Sequence, residues 1–270
     1  AARPDELAVP DDPKTSLFGC QTSDGELRFR RSPDTGTSGQ DLLLVIPGAF
    51  RNAESIAPFA DSIASYAGTV STSLPGFGGS SPLTRNNVAS FAENYLEALI
   101  RLYRDRRITI VGESLGGLVA FNLAQIAPAG LKARVIALDP PLSTGKLWPV
   151  QQVLAQTFAR QPSYKPLDEF ARDIFGLSRD GAIADLTYFH LLEDVGVPVE
   201  VATGTVPLFP VRDPNIRPCL IDQTDVHILS ALKHVRVHSI AGADHVLVES
   251  APGECEALVR DAILSEQRYP

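Results

Sequence analysis

Apolar runs of four to six residues alternate along this chain with segments that carry apolar residues at helical spacing. That alternation admits few architectures, because strands that are apolar on both faces need helices on both sides of a mainly parallel sheet. The strand candidates are 27–31, 42–46, 69–74, 108–111, 135–138, 197–202 and 235–240. Helices are expected over 53–66, 88–103, 116–126 and 252–265, the last from Leu258 with Ala262 and Val259 with Ile263 on one face. The expected class is therefore α/β, a mainly parallel central sheet with flanking helices.

The alternation stops after Asp139, and for about sixty residues helical patterns are punctuated by Pro162, Pro166 and Gly176 with no convincing strand. We read 140–197 as a helical insertion and 1–139 with 198–270 as one core domain. The insertion holds the single Trp, Trp148, and the aromatics Phe158, Tyr164, Phe170, Phe175, Tyr188 and Phe189. For a chain of 270 residues, one domain with an insertion agrees with ordinary domain size.

Composition removes several function classes. Hydrophobic residues at 44% and charged residues at 21% are globular values, which excludes intrinsic disorder. The 24 Lys and Arg against 32 Asp and Glu give a net charge of −8 without a basic block, so nucleic acid is not an expected partner. Cys20, Cys219 and Cys255 are odd in number and scattered, fitting neither a disulfide framework nor a zinc spacing, which points to a reducing, cytoplasmic compartment. The longest aliphatic run, 42–46, is far below the ~20 residues of a membrane span. Residues 1–12 mix Pro with acidic residues and are not read as a signal peptide.

Chemistry concentrates at Gly112-Glu-Ser114-Leu-Gly116, a Gly-x-Ser-x-Gly placed directly after the 108–111 run and before an amphipathic helix. A tight strand-to-helix turn there strains the Ser114 backbone, leaves no room for a Cβ at Gly112 or Gly116, and holds the hydroxyl clear of the sheet. The N–H of Leu115, at the helix start, then faces any oxygen that becomes negative beside Ser114. A serine nucleophile needs a base oriented by a carboxylate. Of five histidines, His245 in Ala241-Gly-Ala-Asp244-His245 is the expected base, just past the last strand and before the C-terminal helix. His190, His227, His234 and His238 are read as packed or surface residues.

Four motifs together resemble the α/β-hydrolase-fold enzymes over about residues 17–267: Val45-Ile-Pro47-Gly48-Ala49-Phe50, Leu74-Pro-Gly76-Phe-Gly78-Gly-Ser80, the Ser114 elbow, and Ala241 to His245. The resemblance implies that Ala49, which follows Pro47-Gly48 where such enzymes usually have His-Gly, pairs with Leu115 as the oxyanion hole. It also implies that the insertion forms a cap selecting the substrate. The acid stays open between Asp213, usable in an extended loop after Gly204, and Asp139 at the end of the preceding strand. Asp222 and Asp225 stand behind them as helix N-terminal residues. Asp244, adjacent to the base, is read as structural.

The expected activity is a cofactor-independent, metal-free serine hydrolase of a small-molecule carboxylic ester or thioester, acting through an acyl-enzyme. C–C bond hydrolysis or acyl transfer on the same fold, and a non-catalytic ligand-binding homologue, are the alternatives. Ser143-Thr-Gly145-Lys146-Leu147 lacks the first glycine and the metal-binding hydroxyl of a phosphate loop, and Ser114 excludes the carboxylate nucleophile of a haloalkane dehalogenase.

Overall fold

The computed structural model describes residues 17–33, 41–128, 131, 133–209 and 217–267, with side chains to 264. Eight strands form one sheet: β1 (Leu17–Thr22), β2 (Gly25–Arg31), β3 (Asp41–Ile46), β4 (Gly68–Thr72), β5 (Arg107–Glu113), β6 (Ala133–Leu138), β7 (Val199–Gly204) and β8 (Val235–Ile240). Their spatial order is β1-β2-β4-β3-β5-β6-β7-β8. From β4 to β8 every neighbouring pair is parallel, whereas β1 and β2, and β2 and β4, are antiparallel.

The helices are α1 (Ala57–Ile63), α2 (Val88–Tyr103), α3 (Leu115–Ile126), α4 (Trp148–Arg160), α5 (Lys165–Phe175), α6 (Gln223–Ser230), α7 (Leu247–Ser250) and α8 (Pro252–Gln267). The run at 42–46 explains why they lie on both faces. Leu42, Leu44 and Ile46 point into the layer formed with Phe91, Tyr95 and Leu99 of α2 and Phe121 of α3. Leu43 and Val45 point the other way, among Phe59 and Ile63 of α1 and Val259 and Ile263 of α8. A strand alternates its side chains, so a continuous apolar run is what two buried faces require.

The first helix is shorter than expected. Asn52 and Ser55 close a turn on each other, Asn52 Oδ1 accepting from Ser55 N at 2.8 Å and Ser55 Oγ from Asn52 N at 2.9 Å. The helix therefore begins only at Ala57, with Pro58 in its first turn, where the missing N–H costs nothing. The strand β1 was not expected at all. It pairs with β2 across a Ser23-Asp24 turn and buries only Phe18, Cys20 and Thr22 on alternate positions.

Between β6 and β7 the chain forms α4, α5 and two short 3-10 turns, Thr144–Lys146 and Phe189–Leu192, and no strand beyond isolated bridges at Ser143–Thr187 and Leu177–Ile183. Arg179 ties this segment together. Its guanidinium donates to Phe158 O, Gln161 O, Pro162 O and Asp168 Oδ1 at 2.9–3.2 Å and lies 4.5 Å from the centroid of the Phe158 ring. Lys146 reaches across to Asp222, 2.8 Å away, and Asp225, anchoring the segment's start to α6.

Candidate functional site

At the end of β5 the chain turns into α3 through Ser114, whose φ of 50° and ψ of −117° are sterically costly for any residue with a Cβ. Close packing enforces the turn. A Cβ on Gly112 would stand 2.3 Å from Gly116 O, and one on Gly116 would stand 2.2 Å from Ile46 O. Ser114 N donates to Leu138 O of the neighbouring strand at 2.8 Å, and Ser114 O accepts from Gly117 N at 2.8 Å. As the first residue of α3, Leu115 has no carbonyl one turn earlier to receive its N–H.

One strand over, Asp139 also holds a positive φ, 46°, and is completely buried. Four donors surround its carboxylate. His245 Nδ1 lies 2.6 Å from Oδ2, Leu220 N donates to Oδ2 at 2.8 Å, and Thr203 Oγ1 and Ile221 N donate to Oδ1 at 2.8 and 3.2 Å. A carboxylate only accepts, so the tautomer that fits this contact keeps its proton on Nδ1, donates it as a hydrogen bond to Asp139, and leaves Nε2 of His245 with its lone pair. His245 N donates in turn to Arg217 O at 2.8 Å.

Ser114, His245, Gly48 and Ala49 line one cavity of about 730 Å³. Phe50, Leu147, Trp148, Phe175, Val206 and Leu220 supply much of its apolar wall. Phe50, at a φ of 63° and half exposed, packs against Phe77, Phe170 and Phe175. A serine at a strained turn and a histidine held by a buried carboxylate, lining one largely apolar cavity, are the groups that activation of a hydroxyl toward an electrophile requires.

The two carboxylates left open by the sequence are thus treated differently. Asp139 is brought to His245, and Asp213 lies outside the described residues. Asp222 and Asp225 form a reciprocal capping box at the start of α6. Asp244 accepts from Val246 N and Arg217 Nε. The remaining histidines stand elsewhere. His234 Nε2 contacts Leu192 O at 3.0 Å, His238 Nε2 contacts Glu200 at 2.6 Å, His190 sits in a 3-10 turn and His227 in α6.

Glu113 is a site residue that sequence reasoning passed over. Its buried carboxylate accepts from Gly48 N at 3.2 Å and from Arg51 Nη1 at 2.9 Å, so it fastens the 47–51 turn to the residue preceding Ser114. Burial pushes the Glu113 carboxyl above the usual carboxylate range, while Arg51, the Gly48 N–H and His245 pull it down. The signal for it was an acid standing directly before Ser114, at the end of a strand whose other residues from Ile108 on carry no charge. Cys219 has its thiol pushed up to about 12 by burial and by the charge of Asp139.

Among the described residues, no group of three or more His, Cys, Asp or Glu is placed to hold a metal ion, and no helix is long and apolar enough to cross a membrane. Residues 43–258 match the family model described as the Alpha/beta hydrolase family. No curated protein matches the chain. Among solved structures, an N-acyl homoserine lactonase is similar at 19% identity and a TM-score of 0.64, over 92% of this chain and 96% of that one. A proline iminopeptidase from Mycobacterium smegmatis is 16% identical with a TM-score of 0.65, over 93% and 98%. A membrane phospholipase A, described as a bacterial virulence factor, is 19% identical with a TM-score of 0.64, over 96% and 88%.

Proposed function

The chain belongs to the alpha/beta hydrolase family, and from that membership and the geometry of its site we propose that it is a cofactor-independent serine hydrolase of carboxylic esters or thioesters. The observation that carries this reading is the 2.6 Å contact between His245 Nδ1 and the fully buried Asp139, on the wall of the cavity that Ser114 also lines. Asp139 fixes the tautomer of His245, so that Nε2 is the base.

In the proposed cycle His245 removes the Ser114 proton as Oγ attacks the carbonyl carbon. The oxyanion receives the N–H groups of Ala49 and Leu115, at the turn after β3 and the start of α3. The protonated His245 hands its proton to the departing alcohol or thiol, leaving an acyl-Ser114. Water then attacks with His245 again as base, and the acid product leaves with Ser114 restored. Asp139 stays ionised throughout and stabilises the imidazolium. The role of Glu113 is to position, because its bond to Gly48 N sets where the next N–H, that of Ala49, stands relative to Ser114.

Residues 140–197 are read as a cap over this cavity. Leu147, Trp148, Val150 and Phe175 come from it and form part of the cavity wall, which is how such a segment would select the substrate.

A fluorophosphonate probe tests the reading without knowledge of the substrate, since Ser114 Oγ displaces fluoride from phosphorus only when the base and the oxyanion donors act. Labelling at Ser114, located by mass spectrometry and abolished in His245→Ala and Ser114→Ala, is the expected result. An unlabelled, folded wild-type protein beside a labelled control hydrolase would overturn it.

A further inference from the structure

Five charged side chains around the cavity have no part in the chemistry above, apart from the positioning role of Glu113, and they form one alternating chain. Glu113 Oε1 lies 2.9 Å from Arg51 Nη1, and that nitrogen lies 3.1 Å from Glu249 Oε1. Glu249 Oε2 lies 2.9 Å from Arg217 Nη1, and Arg217 Nε lies 3.3 Å from Asp244 Oδ2. The chain begins at the residue before Ser114 and ends at the residue before His245. Both arginines line the cavity, and among the described residues no other Lys or Arg side chain does.

Two arginines beside a nucleophile would suggest an anionic substrate, but their partners reverse that expectation. Arg51 donates to Glu113 and to Ser55 O and pairs with Glu249. Arg217 pairs with both Glu249 and Asp244. Three carboxylates face two guanidiniums, and Asp139 lies buried behind His245. A carboxylate entering this cavity would leave water, find both guanidinium charges already paired with carboxylates and meet an excess of like charge, each of which disfavours it. An uncharged chain meets the apolar wall of Phe50, Trp148 and Phe175 instead.

We propose that this site accepts esters or thioesters whose acyl and leaving groups are uncharged, and that Glu249 sets the preference by holding Arg51 and Arg217 away from anionic substrates. The proposal rests on Ser114 being the nucleophile. Glu249 is the link suited to a test, because its side chain is 49% exposed at the end of α7 and its loss opens no hole in the core. Replacing it leaves each of these two cavity-lining arginines with one carboxylate partner fewer, so rejection of anions becomes attraction, a specificity set by repulsion as much as by contact.

The experiment compares labelling rates at Ser114 for two fluorophosphonates of equal chain length, one ending in a methyl group and the other in a carboxylate. In the wild type, the methyl-ended probe is expected to react at least tenfold faster. In Glu249→Gln, that ratio is expected to fall at least tenfold, through faster reaction of the carboxylate probe. A purely structural Glu249 would slow both probes together and leave the ratio unchanged, which would overturn the proposal. So would a wild type that reacts equally well with both. If Glu249→Gln does not fold, Arg217→Gln carries the test in the opposite direction: it leaves Glu249 with less compensation, so the ratio must rise, and a ratio that falls or stays level refutes the proposal. No label at Ser114 from either probe refutes the nucleophile itself, a failure distinct from lost selectivity.

Discussion

His245 Nδ1 meets Asp139 Oδ2 at 2.6 Å across 106 residues of sequence, and the carboxylate it meets is held by three further donors from the loops that follow β7 and precede α6, and from β7 itself. Replacing Asp139 by Asn keeps the shape but offers an N–H where the imidazole needs an acceptor, which favours the wrong tautomer. For an ester the wild type cleaves, kcat of Asp139→Asn is expected to fall by about 10³ to 10⁴, with KM changed far less. Asp213→Asn is expected to stay within about threefold of wild type. Equal losses in the two variants would mean that the acid is shared or misassigned.

The elbow makes a stability prediction that does not depend on the substrate. A methyl group on Gly116 would meet two backbone carbonyls, Ile46 O at 2.2 Å and Pro47 O at 2.7 Å, and neither can move without shifting β3. Gly116→Ala is expected to lose about 3 kcal/mol or more, measured by chemical denaturation. Gly253→Ala is the control, since nothing stands within 4 Å of the new methyl group in α8 and helix propensity favours alanine there. A neutral Gly116→Ala would show that the β3 turn and the elbow are not in the tight contact on which the oxyanion geometry depends.

The elbow was legible because its requirements are local: a strand, a turn too tight for Cβ atoms and a helix all fall within one run of sequence. Element positions followed similarly, with 235–240 and 88–103 coinciding with β8 and α2. Which carboxylate meets His245 was not legible, because it depends on which strand end lies nearest His245 in space, and β6 and β7 are adjacent strands with carboxylates beyond them. The edge strand β1 escaped because only three of its six residues are buried, a weak pattern beside the doubly buried strands. The ion chain from Glu113 to Asp244 was invisible for a further reason. Its members lie at 51, 113, 217, 244 and 249, and no local pattern joins them.

In the helical segment after β6, one side chain joins α4, the loop that follows it and α5. Arg179 satisfies three carbonyls at the end of α4 and in the loop that follows, and pairs with Asp168 in α5. Arg179→Met removes these charge-assisted bonds and the guanidinium over the Phe158 ring while keeping an unbranched chain, and is expected to cost about 1–3 kcal/mol. Hydrogen exchange should accelerate in α4 and α5 and stay slow in β5 and β6, because the loss is confined to the segment. Uniform acceleration across the sheet would show that the segment and the core unfold as one unit.

Glu113 supplies a pH dependence whose sign follows from its burial. A carboxyl whose pKa is higher in the folded protein than in the unfolded chain binds its proton more tightly when folded. Its contribution to stability is therefore most favourable below the ordinary value of 4.5 and declines as pH rises through the folded value. The Arg51 pair and the Gly48 N–H limit the decline, since both act on the ionised form. Glu113→Gln cannot ionise but still offers Gly48 N an oxygen, so the variant lacks this decline. The difference in Tm, variant minus wild type, is expected to grow more positive from pH 4 to pH 7. A difference that is flat, or that moves the other way, would mean that Arg51 outweighs desolvation and that the folded site favours the ionised carboxylate.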